Sequence, residues 1–157
     1  MDIEKIIRKE TPLLVHISDT LWNYAETAFS ETRSAGFLCH VLEEKGFHVT
    51  RNAYGLETAF LAEYGQGKPV IALLAEYDAL PNLSQKVSPV KEPDPSHTAG
   101  HGCGHNLLGA GSVAAALAVK EAIDAHEVSG TIRLYGTPAE EVLLGKVILA
   151  KHGHFQT

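Results

Sequence analysis

Two cysteines, Cys39 and Cys103, make up the whole thiol content of the 157-residue chain, which leaves no disulfide framework and no four-cysteine zinc module. Basic clusters are missing too. Against 19 Asp and Glu stand 13 Lys and Arg, a net charge of -6, so neither nucleic acid nor an anionic membrane surface is an expected partner. No apolar run is long enough for a bilayer; the longest, Leu107 to Val119, is interrupted by Gly109, Gly111 and Ser112. The start, Met1-Asp2-Ile3-Glu4-Lys5, is acidic and opens an amphipathic pattern instead of the apolar stretch of a secretory leader, so a cytoplasmic location is expected. Internal repeats and low-complexity tracts are lacking. What is present, 45% hydrophobic and 20% charged residues, suits one globular domain with a sizeable core that acts on small molecules or proteins.

Ile3, Ile6, Ile7, Leu13, Leu14, Ile17 and Leu21 recur at three- and four-residue spacing, which predicts a helix from Asp2 onward with a kink or boundary at Pro12. Ser30 is the expected N-cap of a second helix carrying Phe37, Leu38, Val41 and Leu42, stopped by Gly46. Strands are predicted over 47–51, 58–64 and 69–75, with a glycine-rich turn at 65–68. The run from Pro69 to Ala75 has no polar face and reads as a central strand. It delivers Glu76 and Asp78 at its carboxyl end, where open α/β sheets keep their sites. Residues 82–99, with Pro89, Pro93 and Pro95, form an expected long surface loop. A small-residue helix over 107–125, a strand over 130–136 and a weaker helix over 143–151 complete an α/β fold class: a mixed sheet with helices on both faces.

The segment His101-Gly102-Cys103-Gly104-His105-Asn106 packs a thiol and two imidazoles into a glycine-hinged turn before a helix. Thiolate and imidazole are the side chains that best bind borderline-soft divalent ions, so Cys103 and His105 are candidate metal ligands. His101 is a candidate supporting or loop residue. Of the nine histidines, His16, His40, His48 and His126 read as ordinary surface or hydrogen-bonded residues. Glu140 and Glu141 follow the 130–136 strand. They are either acids favoured at a helix start, or a divided pair in which one binds metal and the other takes a proton from water. Asp78 is either a turn residue or a site residue. A structural zinc site would need four protein ligands, so a hydrolytic site is the better match. A cysteine nucleophile served by His105 and Asn106 is a different class of answer, but bases two and three residues from a thiol in one local segment seldom converge on it.

Three segments carry a resemblance: Ala75-Glu76-Tyr77-Asp78-Ala79-Leu80-Pro81, the His101 to Gly109 stretch, and Gly136-Thr137-Pro138-Ala139-Glu140-Glu141. In this order and context they resemble the co-catalytic metallopeptidases that include aminoacylases and p-aminobenzoyl-glutamate hydrolases, in the amidohydrolase branch whose metal site uses a cysteine. The resemblance implies two divalent ions, zinc or manganese, with Cys103, His105 and Glu141 at ligand positions. It implies Glu140 as the general base and Asp78 as the acid that orients a ligand. The implied substrates are N-acyl amino acids, aminobenzoyl-glutamate or short dipeptides, and relatives suggest a homodimer. Family members run to more than twice this length. Residues 1–157 are therefore expected to be a partial catalytic domain without the lid or dimerisation domain, inactive alone, with His152 and His154 lying before the next expected ligand. Val142-Leu143-Leu144 stand where relatives have glycines before Lys146, which either crowds the site or caps a helix differently. The alternative is a non-catalytic binding or interaction module that keeps a residual metal site.

Overall fold

The structure, a computed structural model, describes residues 2–153 and 155; His154 lies outside the described residues. Helix α1 spans Ile3–Tyr24 and runs on through Pro12 without the predicted boundary. Its first turn is capped by Asp2, whose side chain accepts from the Lys5 amide at 3.0 Å. Helix α2 spans Thr32–Glu44, and its N-cap is Glu31 instead of the expected Ser30. The open amides of its first turn are taken by Glu26, whose carboxylate accepts from the Arg33 and Ser34 amides at 3.1 and 2.8 Å. A longer side chain from the preceding turn thus does the work expected of the serine.

Four strands follow: β1 (His48–Arg51), β2 (Phe60–Gln66), β3 (Val70–Ala75) and, after two intervening short strands and a helix, β6 (Gly130–Gly136). They form one sheet in the order β1-β2-β6-β3, antiparallel except for the parallel pair β3–β6. β2 and β6 are therefore the inner strands, and β3 lies at the edge. The apolar pattern of β3 predicts a central strand. Among the described residues, though, its outer side has no partner, and Ile71 and Leu74 are 54% and 38% exposed. Short strands β4 (Leu80–Pro81) and β5 (Ala99–Gly100) pair antiparallel and clasp the base of the predicted loop.

Helix α3 (His105–Asp124) lies on the sheet face that carries Phe60, Ala62, Leu73, Ala75, Ile132 and Leu134, and α1 and α2 pack beside it. Its small residues set the approach. A Cβ on Gly109 would stand 2.9 Å from the Glu76 carbonyl oxygen and 3.2 Å from Leu21 Cδ1. At 20 residues α3 is longer than the apolar run seen in the sequence, and by length and composition it could cross a membrane. Half of that apolar window is buried within the fold, as befits a core helix. Helix α4 (Gly145–Lys151) packs Leu149 on Ala53 and Ala59, and Phe155 just beyond it packs on Tyr135, which alternates to the sheet face opposite Leu134. The mixed sheet thus has α1–α3 on one face and α4 on the other.

Candidate metal centre

The parallel strands β3 and β6 end side by side, with Ala75 opposite Gly136. The Thr137 amide and hydroxyl both donate to the Ala75 carbonyl, at 2.8 and 3.0 Å, so the two exits leave as a pair. Beyond β3, Tyr77 turns into the core, where its hydroxyl donates to the Thr58 carbonyl at 2.5 Å. Glu76 and Asp78 turn the other way, toward the segment that follows β6 and toward the first residue of α3.

Asp78 joins these three arms. Its Oδ2 accepts from the Glu141 amide at 2.9 Å, and its Oδ1 lies 3.0 Å from His105 Nδ1. The Asp78 carbonyl is also 3.0 Å from the same ring nitrogen, which fixes Nδ1 as the protonated atom of the imidazole. Across the ring, His105 Nε2 faces Glu76 Oε2 at 3.2 Å and Glu140 Oε2 at 3.7 Å, while Glu141 Oε1 lies 3.7 Å from Nδ1. Asp78 and His105 are buried. The hydrogen bond to Asp78, aided by the charge of Glu76 and against the opposing effect of burial, pushes His105 up to about 9. Cys103 is exposed beside Glu141, whose neighbouring carboxylate holds the thiol pKa above the ordinary value.

Two donor groups result. Cys103, His105 and Glu141 bring ligand atoms within 4.8 Å of one another, and so do Glu76, His105 and Glu140. Glu141 Oε1 is buried without a hydrogen bond. Acids that raise both a thiol and an imidazole pKa make a region in want of positive charge, and a divalent ion would reverse both shifts. A sulfur, a nitrogen and carboxylate oxygens are the donors such an ion takes. The residues present therefore fit a divalent metal. Lys146 of α4 supplies the nearest fixed cation, paired with Glu76 and lying 3.5 Å from Glu140 Oε1.

All five residues singled out in the sequence, Asp78, Cys103, His105, Glu140 and Glu141, meet around one imidazole. His101 does not join them: its Nε2 donates to the Leu21 carbonyl at 2.9 Å, and its ring packs beside Trp22. Asn106 turns away as well, donating to Ser18 Oγ at 2.9 Å. With Asn106 elsewhere and acids raising the thiol, Cys103 has the opposite of a nucleophile's surroundings. The sequence places Glu76 at the strand exit without a role, and Lys146 was not among the expected site residues. Strand alternation places Glu76 on the same side as Asp78, and that was its signal.

Val142, Leu143 and Leu144 point outward, at 47%, 74% and 47% exposed, so they do not crowd the acids. Leu143 adopts a left-handed backbone (φ 59°), the conformation a glycine takes without strain. Gly145 keeps its glycine because a Cβ there would overlap the Pro138 carbonyl oxygen. A separate cavity of about 860 Å³ lies between α1 and the 82–98 loop, lined by Asp19, Trp22, Lys86, Asp94 and Asn106; no carboxylate of the acid cluster reaches it.

The profile of Peptidase family M20/M25/M40 matches residues 72–155, and the chain belongs to this family. A component of the p-aminobenzoyl-glutamate hydrolase of Escherichia coli K12 is 45% identical over 155 residues, covering 98% of this chain and 32% of that protein. The mouse Xaa-Arg dipeptidase is 32% identical over 152 residues, covering 89% of this chain and 32% of that protein. Among solved structures, a Bacillus subtilis dinuclear metal binding peptidase from the M20 family superposes with a TM-score of 0.81 at 26% identity, covering 95% of this chain and 41% of that one. The chain spans about a third of the length of the curated relatives it matches.

Proposed function

We propose that this chain builds the metal-binding acid cluster of a metal-dependent amidohydrolase acting on N-acyl amino acids, aminobenzoyl-glutamate or short dipeptides. The observation that carries it is the convergence of Cys103, Glu76, Glu140 and Glu141 on the one imidazole of His105. Cys103, His105 and Glu141 would hold one divalent ion, zinc or manganese, and Glu76 across the ring would contribute to a second, which leaves Glu140 free to act as a base. Bound there, such ions lower the pKa of water and polarise an amide carbonyl.

The chain's own residues do the rest. Asp78 accepts the Nδ1 proton of His105 and so aims Nε2, while the Glu141 amide bound to its other oxygen fixes the acidic turn. Glu140 is the more exposed of the two adjacent acids, with 27% of its side chain accessible against 13% for Glu141. It takes a proton from the attacking water and returns it to the leaving nitrogen. A cytoplasmic homodimer belongs to the same proposal; cell fractionation and sedimentation velocity check it.

The test is Glu140→Gln in the protein at the length its cell makes, assayed against those amide classes with metal content measured in parallel. The expected result is loss of turnover with metal retained. Undiminished turnover would remove Glu140 from its role. Activity that survives chelator but not a thiol-alkylating reagent would place the protein among thiol enzymes. No metal-dependent activity, together with dye binding to the apolar outer side of β3, would favour an interaction module.

A further inference from the structure

The turn between α1 and α2 lies far in sequence from the acid cluster and contributes no ligand to it, yet it touches both strand exits. The Glu26 carbonyl accepts the Ala79 amide at 2.8 Å, directly after Asp78, and Thr27 forms a parallel bridge with Ala79. At the far end of the turn Glu31, completely buried, extends its carboxylate to the other exit: Oε1 accepts the Ala139 amide at 2.8 Å. Its second oxygen, Oε2, has no well-aligned hydrogen bond.

Ala139 leads directly into Glu140 and Glu141, opposite the contact that Asp78 makes with the Glu141 amide. It is buried and left-handed (φ 57°), a conformation that strains any residue with a Cβ. Its carbonyl receives the Leu144 amide at 3.3 Å, so both sides of Ala139 are committed to the turn that presents the two acids. A buried acid at a helix start ordinarily serves the helix. Here the helix amides at 33 and 34 are already taken by Glu26, and Glu31 serves the other exit.

We infer that Glu31 is a positioning residue: its buried carboxylate holds Ala139 in the left-handed turn that aims Glu140 and Glu141 at His105. This rests on the proposed function for what the two acids do, but the hydrogen bond it depends on does not. In either protonation state Oε1 remains an acceptor, so glutamine preserves the contact, whereas leucine fills similar space without it.

The experiment compares Glu31→Gln, Glu31→Leu and the double variant Glu31→Leu with Ala139→Gly in the full-length protein. Amide hydrogen exchange at Ala139 and Leu144 reads the turn without metal or substrate. A Co²⁺ titration followed through the thiolate absorption of Cys103 reads the ligand geometry, and kcat and KM read the chemistry. Glu31→Gln is expected to keep exchange protection and Co²⁺ affinity near wild type. Glu31→Leu is expected to lose protection at both amides, to weaken Co²⁺ by about 10–100-fold, the usual effect of losing an orienting partner, and to lower kcat more than it raises KM. Glycine at 139 needs no support to adopt a positive φ, so the double variant recovers much of the loss. Wild-type protection and Co²⁺ affinity in Glu31→Leu would overturn the inference, as would equal damage from Glu31→Gln. Should Glu31→Leu fail to fold, the glutamine variant and the double variant still decide it. If exchange behaves as expected while the wild type binds no Co²⁺ and cleaves no amide, the proposed function fails and the positioning of the turn stands.

Discussion

The parallel strands β3 and β6 are held together differently at their two ends. At the amino end the contact is a close approach of backbones joined by one neutral hydroxyl. The Thr131 amide and hydroxyl donate to the Pro69 and Gly67 carbonyls, each at 2.9 Å, and Gly130 (φ 130°) comes so close to Pro69 that a Cβ would overlap its carbonyl oxygen. At the carboxyl end the exits are joined by charged side chains, with Asp78 bonded at once to the Glu141 amide and the His105 ring. Close backbone approach and a neutral hydroxyl close one end, and ionisable side chains organise the other. The first arrangement tolerates no added atom. The second answers to protons and cations.

Four changes test that contrast, in order of expected size. Gly130→Val imposes both the overlap and a forbidden φ, and should destabilise by more than about 3 kcal/mol in a urea melt while the folded fraction binds metal normally. Impaired metal affinity in that fraction would show that the two ends are not independent. Asp78→Asn should do the reverse, lowering metal affinity by about 10–100-fold, as loss of the acid behind a histidine ligand usually does; affinity equal to wild type would remove Asp78 from the site.

The third concerns pH. His105 is raised to about 9 in the folded, metal-free protein, against about 6.5 for an unfolded histidine. A raised folded pKa adds stability that is complete below the unfolded value and lost as pH climbs through the folded one. The melting temperature of metal-free protein should therefore fall between about pH 6.5 and pH 9, and His105→Gln should flatten that decline. A wild-type profile without the decline would mean that His105 is not held as an imidazolium. The smallest effect separates the cysteines. Burial pushes Cys39 up to about 11, whereas Cys103 is exposed at the acid cluster. Alkylation near pH 8 should label Cys103 alone in the native protein, and Zn²⁺ should protect it; labelling of Cys39 at a comparable rate would contradict its burial.

The carboxyl end was the more legible of the two in the sequence. Glycines on either side of Cys103, and adjacent acids after a strand, are local patterns, and β6 spans Gly130–Gly136 as the sequence predicts. Strand order is not local. The apolar run at 70–75 is a strand, but nothing in it states which neighbours it will have, so its edge position came only from the fold. The cap of α2 was missed for a similar reason: Ser30 has the preferred chemistry, but Glu26 reaches the same amides from a turn whose shape Ala25 and Phe29 set with left-handed backbones. Glu31 left no signal at all. Its partner is 108 residues away, and a glutamate at a helix start looks like any other.

The clasp formed by β4 and β5 has a consequence for how such a protein changes over generations. Leu80 pairs with Gly100, Pro81 with Ala99, and the Asn82 amide donates to the Thr98 carbonyl at 2.7 Å, so the chain returns to its starting point after the loop. Leu83 lies against Gly100 and Gly102, and His97 is bonded to the Asn23 carbonyl, so the ends of the loop are fixed, whereas the exposed residues between them can be lengthened, shortened or exchanged with little entropic cost. The same loop walls the cavity beside Trp22. A lineage that keeps the clasp is free to vary that wall and leave the ionisable cluster untouched.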